Sequence, residues 1–150
     1  MFVDFLTRGL SFLLHEFVRG LLYAYGVQLH DLTPNSILHI ACFIVLCECF
    51  LGMHPHWGLW RRIFIVKKHT VARRSLATGG FGIQTRNDVG YFDFKLSESV
   101  LQWRRRWFYF TVDADSKVPD FSLEARVKPR KTWRHELTST KETEANQLLS

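Results

Sequence analysis

Apolar positions recur at steps of three and four early in the chain. Leu10, Leu14, Phe17, Leu21 and Tyr25 share one face of a helix predicted over residues 11–25, and Gly26 follows as its left-handed cap. A second helix is predicted over residues 34–51. Thr33 offers an N-cap oxygen, Pro34 suits the first helical position, and Gly52 stands just past the end. Apolar side chains surround most of this helix, which suits a central core element that other parts of the chain must cover. After Trp60 the period changes to two. Ile63-Phe64-Ile65-Val66 is a short β-rich run, and "GGFGIQTRNDVGYFDFKL" predicts a hairpin. Phe81, Ile83 and Thr85 alternate on one arm and Phe92, Phe94 and Leu96 on the other, with turn chemistry at residues 87–90. Ser97 caps a brief helix reaching Gln102, and "WFYFTVD" (107–113) predicts a strand. From about Asp115 the pattern loosens, and the last fifteen residues are polar enough to fray or to form a lone helix.

Together these elements predict an α+β fold: two N-terminal helices packed on a small, mostly antiparallel sheet built from residues 62–113, with a polar C-terminal tail. The expected division is a domain over residues 1–137 and a tail over 138–150. At 150 residues, 47% of them hydrophobic and 15% aromatic, the chain can bury a real core and is not of disordered composition.

The apolar run from Ile37 to Leu51 raises the question of a membrane span. Eighteen residues from Pro34 to Leu51 extend roughly 27 Å at about 1.5 Å per residue. That is short of a hydrocarbon core of about 30 Å, and His39 and Glu48 sit inside the run. The expectation is a buried helix and no membrane partner. Asp4, Arg8, Glu16 and Arg19 interrupt the opening apolar stretch as a signal peptide's would not be. Three cysteines, an odd number, then point to free thiols in a reducing, intracellular compartment, cytoplasmic or nuclear.

Candidate chemistry is sparse. His39, Cys42, Cys47, Cys49, His54 and His56 invite a zinc reading. Yet Cys47 and Cys49 lie about 200° apart around a helix, and no second ligand pair is placed to close a tetrahedral shell. Buried core thiols are the expectation, and no metal. "ATGGFGIQTR" has glycines beside a cation but lacks the closing Gly-Lys-Ser/Thr of a phosphate loop, so a hairpin bend is expected. Asp113 and Asp115, beside Ser116, Lys117 and Pro119, mark a solvated turn. No nucleophile elbow, zinc-protease helix or Cys/His nucleophile context occurs. The chain is therefore expected to be non-enzymatic, with no catalytic residue, no cofactor and no small-molecule substrate.

Charge changes the picture most. Residues 1–60 hold two basic and four acidic side chains, whereas residues 61–150 hold eighteen and ten. The net +6 is therefore the sum of −2 in the first part and +8 in the second. "RRIFIVKKHTVARR" places Arg61, Arg62, Lys67, Lys68, Arg73 and Arg74 around apolar residues. "WRRRWFYF" sets Arg104, Arg105 and Arg106 between two tryptophans, and "RVKPRKTWR" adds Arg126, Lys128, Arg130, Lys131 and Arg134. Such groups neutralise phosphates while exposed aromatics stack on unpaired bases. Non-specific RNA or DNA binding is one reading of these clusters. A solvated basic face with tryptophans packed inside is the other.

One string resembles a known family. Within "LSFLLHEFVRGLLYAYGVQLHDLTPNSILHIACFIVLCECFLGMHPHWGLWRRIF", four motifs are similar to those of plant gypsy-type transposon, or transposase-like, domains. They are G-L-S-F…H-E-F-x-R-G-L-L (9–22), Q-L-H-x-L-x-P-N-S (28–36), C-E-x-F-L-G (47–52) and W-G-L-W-R-R-x-F (57–64). "WRRRWFYFTVD" resembles that family's W-[KR]-[KR]-x-W-F-Y strand. The similarity covers most of residues 2–137. Leu13 replaces the family's usual proline, Met1 is expected to open partway through the domain, and the long C-terminal extension of relatives is expected to be missing. The resemblance implies a retrotransposon-derived structural, gag-like or accessory protein. The alternative it carries is a protein–protein assembly module that self-associates, and the third is a transposase.

Overall fold

The structure, a computed structural model, describes residues 1–11, 14–71, 75–87, 100–111 and 138–149. In chain order it contains α1 (Val3–Thr7), α2 (Glu16–Tyr25), α3 (Pro34–Val45), α4 (Trp57–Ile63), β1 (Phe64–Val71), β2 (Ser75–Thr85) and α5 (Ser139–Leu149). Short 3-10 turns lie at Leu29–Asp31 and Trp103–Arg105. The class is α+β, as expected, with more helices than the two read from periodicity. The turn at residues 88–90, the second hairpin arm, the cap at Ser97 and the end of the strand expected over 107–113 lie outside the described residues.

The first predicted helix begins later than expected. His15, not a residue near 11, caps α2: its Nδ1 accepts the Phe17 N–H at 3.1 Å. With Nδ1 accepting, the proton resides on Nε2, which donates to Glu48 Oε1 at 3.0 Å. Gly26 ends α2 in the left-handed region at φ 64°, as its position predicts.

The start of α3 follows its sequence signals. Thr33 Oγ1 accepts the Ser36 N–H at 3.1 Å, and Pro34 occupies the first turn. Its end also lies where Gly52 predicts it, but the last turn is not α: the α geometry stops at Val45 and residues Leu46–Phe50 form a wider π turn. The Leu51 N–H reaches Leu46 O at 3.0 Å, the Met53 N–H reaches Cys47 O at 2.9 Å, and Gly52 turns the chain at φ 56°. This turn buries Leu46, Cys47 and Leu51 but leaves Cys49 and Phe50 outside. The expectations of a helix buried all round and of uniformly buried thiols are corrected accordingly.

The sheet, among the described residues, consists of two strands. The described partner of β2 is β1, antiparallel, with Phe64 opposite Thr85, Val66 opposite Ile83 and Lys68 opposite Phe81. Beyond Lys68 the register jumps so that Thr70 faces Leu76. Residues 77–80 therefore bulge out of β2. Gly79 and Gly80 of "GGFG" belong to that bulge and not to a hairpin bend, Gly79 has φ 72°, and Gly82 pairs in register with Lys67. On its other side β2 meets the approach to α3. Leu32 forms a parallel bridge with Phe81, and the Thr33 N–H donates to Phe81 O at 3.3 Å. Ser36, fully buried, donates its hydroxyl to Phe81 O at 3.2 Å and accepts the Ile83 N–H at 2.9 Å. One hydroxyl thus supplies hydrogen bonds to strand groups that water cannot reach.

The core is aromatic. Phe17 of α2, Phe43 of α3 and Trp60 of α4 meet with ring centroids 5.2–5.6 Å apart, and Phe64 of β1 packs on Trp60 at 4.3 Å. Trp60 Nε1 donates to Tyr25 Oη at 3.3 Å, so the buried indole keeps its hydrogen bond. Helix α3 is thereby covered by protein on the side where the sequence required a cover. No helix among the described residues is long and apolar enough to cross a membrane. The polar C-terminal segment forms α5, but not as a lone helix. Ala145 is buried, Lys141 Nζ donates to Leu51 O at 2.5 Å, and Arg62 reaches Asn146 Oδ1 at 2.8 Å.

Candidate nucleic-acid interface

The most informative basic cluster is "WRRRWFYF", because its side chains take up several environments. Gln102 turns the chain at φ 59° into the 3-10 turn Trp103–Arg105. Trp103 points inward, packing edge-on against Phe2 at 4.8 Å and against Phe5 at 5.5 Å. Its ring lies directly over Gly79, where any Cβ would overlap it. The bulge in β2 therefore makes a seat for this indole.

The arginine triplet then divides. Arg104 donates Nε–H to Thr78 O at 2.8 Å and lies 5.0 Å from the Trp103 ring centroid. Arg106 is committed to the fold: its guanidinium pairs with the carboxylate of Asp4, which is 4% exposed. Arg105 is exposed and has no ionic partner among the described residues. A triplet uniform in sequence thus contributes one structural ion pair, one pinned surface cation and one free one.

Beyond Arg106 the chain is extended. The Val3 N–H donates to Arg106 O, the Phe108 N–H to Met1 O, and the Met1 ammonium to Phe108 O, all at 2.9–3.0 Å. This short antiparallel bridge to the N-terminal segment is what residues 107–111 form in place of the expected strand. It sets the alternation of the aromatics. Phe108 and Phe110 are half-buried with centroids 6.2 Å apart, whereas Trp107 and Tyr109 are 52% and 87% exposed and pack edge-to-face at 4.8 Å. The expectation that both tryptophans pack inside holds for Trp103 and fails for Trp107. The period of two in W-F-Y-F-T signalled this alternation but not which face would be covered.

The other sequence-predicted cations are dispersed. Arg61 is exposed on α4, and Arg62 is taken up by Glu142 Oε1 at 3.5 Å and by Asn146. Lys67 is exposed beside the turn that carries Arg104, with which it shares a groove. Lys68 reaches back to Tyr25 O at 3.5 Å and lies 5.8 Å from the Phe81 ring centroid. Arg73, Arg74, Lys128, Arg130 and Lys131 lie outside the described residues, as do Arg126 and Arg134.

The zinc candidates have local roles. His56 caps α4 by accepting the Leu59 N–H on Nδ1 at 3.3 Å. Burial pushes the Cys47 thiol up to about 12, against a smaller lowering by a backbone hydrogen bond from His56, and burial also raises Cys42. Burial lowers His39 to about 4, keeping the ring neutral. No group of three or more His, Cys, Asp or Glu side chains converges among the described residues.

No curated protein and no solved structure matches the chain. Residues 1–68 match the family described as "Putative gypsy type transposon". Within that span the four resembling motifs build the α2 cap, the seam between α3 and β2, the π turn and the passage from α4 into β1. The similarity to that family thus covers the first 68 of the chain's 150 residues.

Proposed function

We propose that this is a non-enzymatic, gag-like or accessory protein derived from a plant gypsy-type retrotransposon. It acts inside the cell and contacts single-stranded nucleic acid non-specifically through its basic second part. The observation that carries this reading is the free Arg105 guanidinium followed by the outward-facing Trp107 and Tyr109 rings. A cation for the phosphates and π-faces for the bases is the pairing used by sequence-tolerant single-strand binders. No base-edge reader lies within the Arg105, Trp107 and Tyr109 stretch itself, so discrimination between sequences there is expected to be weak.

Fluorescence anisotropy with labelled single-stranded RNA tests this. Affinity should fall steeply between low and physiological salt. Arg105→Ala should weaken binding alike for all homopolymers and reduce the salt slope by about 1, and Trp107→Ala should cost roughly 1–3 kcal/mol of binding. An Arg105→Ala, Trp107→Ala double variant that binds like the unaltered protein would refute the assignment.

A second reading rests on a different surface. Val45 and Phe50 are 47% and 68% exposed at the end of α3, a place where an assembly module would present apolar side chains. Sedimentation without nucleic acid separates the readings: a defined oligomer broken by Phe50→Ser supports assembly. A transposase, the third possibility, would be exposed by a strand-cleavage assay dependent on divalent metal.

A further inference from the structure

A groove of about 470 Å³ opens between the start of α3, the β1–β2 sheet and the turn that carries Trp103. Its wall includes Asn35, His39, Lys67, Gln84, Gln102 and Arg104, and no carboxylate among the described residues. Two cations therefore face it without compensation. Lys67 has no ionic partner among the described residues, and Arg104 uses only its Nε on Thr78, leaving two amino groups.

Two further observations point to a missing ligand. His39 is only 7% exposed, is held edge-on by Phe64 at 5.4 Å, and makes no hydrogen bond to a described residue. A neutral imidazole carries one donor and one acceptor, and a ligand in the groove whose wall it lines can meet them. Beside it, Asn35 Oδ1 is buried without a partner. Phosphate alone would need the cations but neither this volume nor three carboxamides. Small-molecule sites typically occupy roughly 300–1,000 Å³. Carboxamides donate and accept side by side, which is how a base edge is read.

We propose that this groove binds a single nucleotide, its phosphate on Lys67 and Arg104 and its base edge on Asn35, Gln84, Gln102 and His39. The nucleotide can be free or one unit of a single strand. Only the second source rests on the nucleic-acid reading above.

The test is a nuclear magnetic resonance titration of the full chain, following the His39 ring and the side-chain amides of Asn35, Gln84 and Gln102. Nucleoside monophosphates should give saturable shifts, with inorganic phosphate or nucleoside alone at least about tenfold weaker. Gln84 and Lys67 are exposed, so their replacements should fold. Gln84→Leu should weaken the nucleotide but not phosphate, whereas Lys67→Ala should weaken both. Shifts at His39 with an RNA octamer identify a strand unit as the ligand, and shifts with mononucleotide only identify the free nucleotide. No saturable His39 shift at about 10 mM nucleotide, or equal affinity for phosphate and nucleotide, overturns the proposal. RNA binding that depends on Arg105 and Trp107 while His39 stays silent overturns the groove alone. Nucleotide binding without RNA binding sustains the groove and removes the interface.

Discussion

Asp4 is a carboxylate almost wholly removed from water, with Oδ2 lacking a partner and Oδ1 held by Arg106. Its position in the first turn of α1 gives it some help from the helix dipole. The guanidinium supplies the rest. Removing Arg106 strands a buried charge, whereas removing Arg105 takes a cation out of solvent. Urea denaturation should find Arg106→Ala less stable by about 1–3 kcal/mol and Arg105→Ala within about 0.5 kcal/mol of the unaltered protein. Equal losses would contradict the division of the triplet. The consequence for function is direct, since replacing all three arginines together would confuse unfolding with lost binding. Nothing in "RRR" announces this division. It is set by a carboxylate 102 positions away in the chain, and a charge pattern records sign and density but not distant partners.

At the scale of elements, what the sequence made legible were the devices that act within one turn. Thr33, Pro34, Gly26 and Gly52 marked helix ends because caps depend on residues three or four apart. Helices α1 and α4, of five and seven residues, are too short to show a period. The pairing of β1 with β2 is not legible in the same way, because alternation shows that 81–85 is a strand but not which strand lies beside it. The paired glycines carried a true signal of backbone irregularity, but whether they bend a hairpin or bulge a strand depends on Trp103, far along the chain. Gly79→Ala should therefore be costly for two reasons: its φ of 72° disfavours a side chain, and the new Cβ would overlap the Trp103 ring. A loss of about 1–3 kcal/mol is expected, with changed near-ultraviolet dichroism as the indole is displaced. At Gly82 a Cβ would sit 3.8 Å from Lys67 O, an ordinary contact. Gly82→Ala should leave the aromatic signal intact. If the two variants behave alike, the bulge is not Trp103's seat.

Across the whole molecule, the family-matched span and the basic part cannot be separated physically. The match ends at residue 68, inside β1, yet the strand that pairs with β1 and the ring that closes the core beside Phe2 and Phe5 come later. His39 sits at this joint, on α3 against Phe64 of β1. Its titration therefore reports on the union of helix and sheet. Burial lowers it from 6.5 to about 4, so between those values the unfolded chain binds a proton that the folded one does not. Stability then rises with pH across that window, and on acidification the loss begins near 6.5 and levels off below about 4. The full loss from this group is at most about 3 kcal/mol, at 1.36 kcal/mol per pH unit. Other groups titrate in the same range, so the informative quantity is the stability of His39→Gln relative to the unaltered protein. That difference should move in the variant's favour as pH falls from about 6.5 to about 4 and stay level from pH 7 to 8. A difference that stays flat across the acidic window would mean that the ring is solvated in the folded protein, and that α3 and the sheet do not close over it.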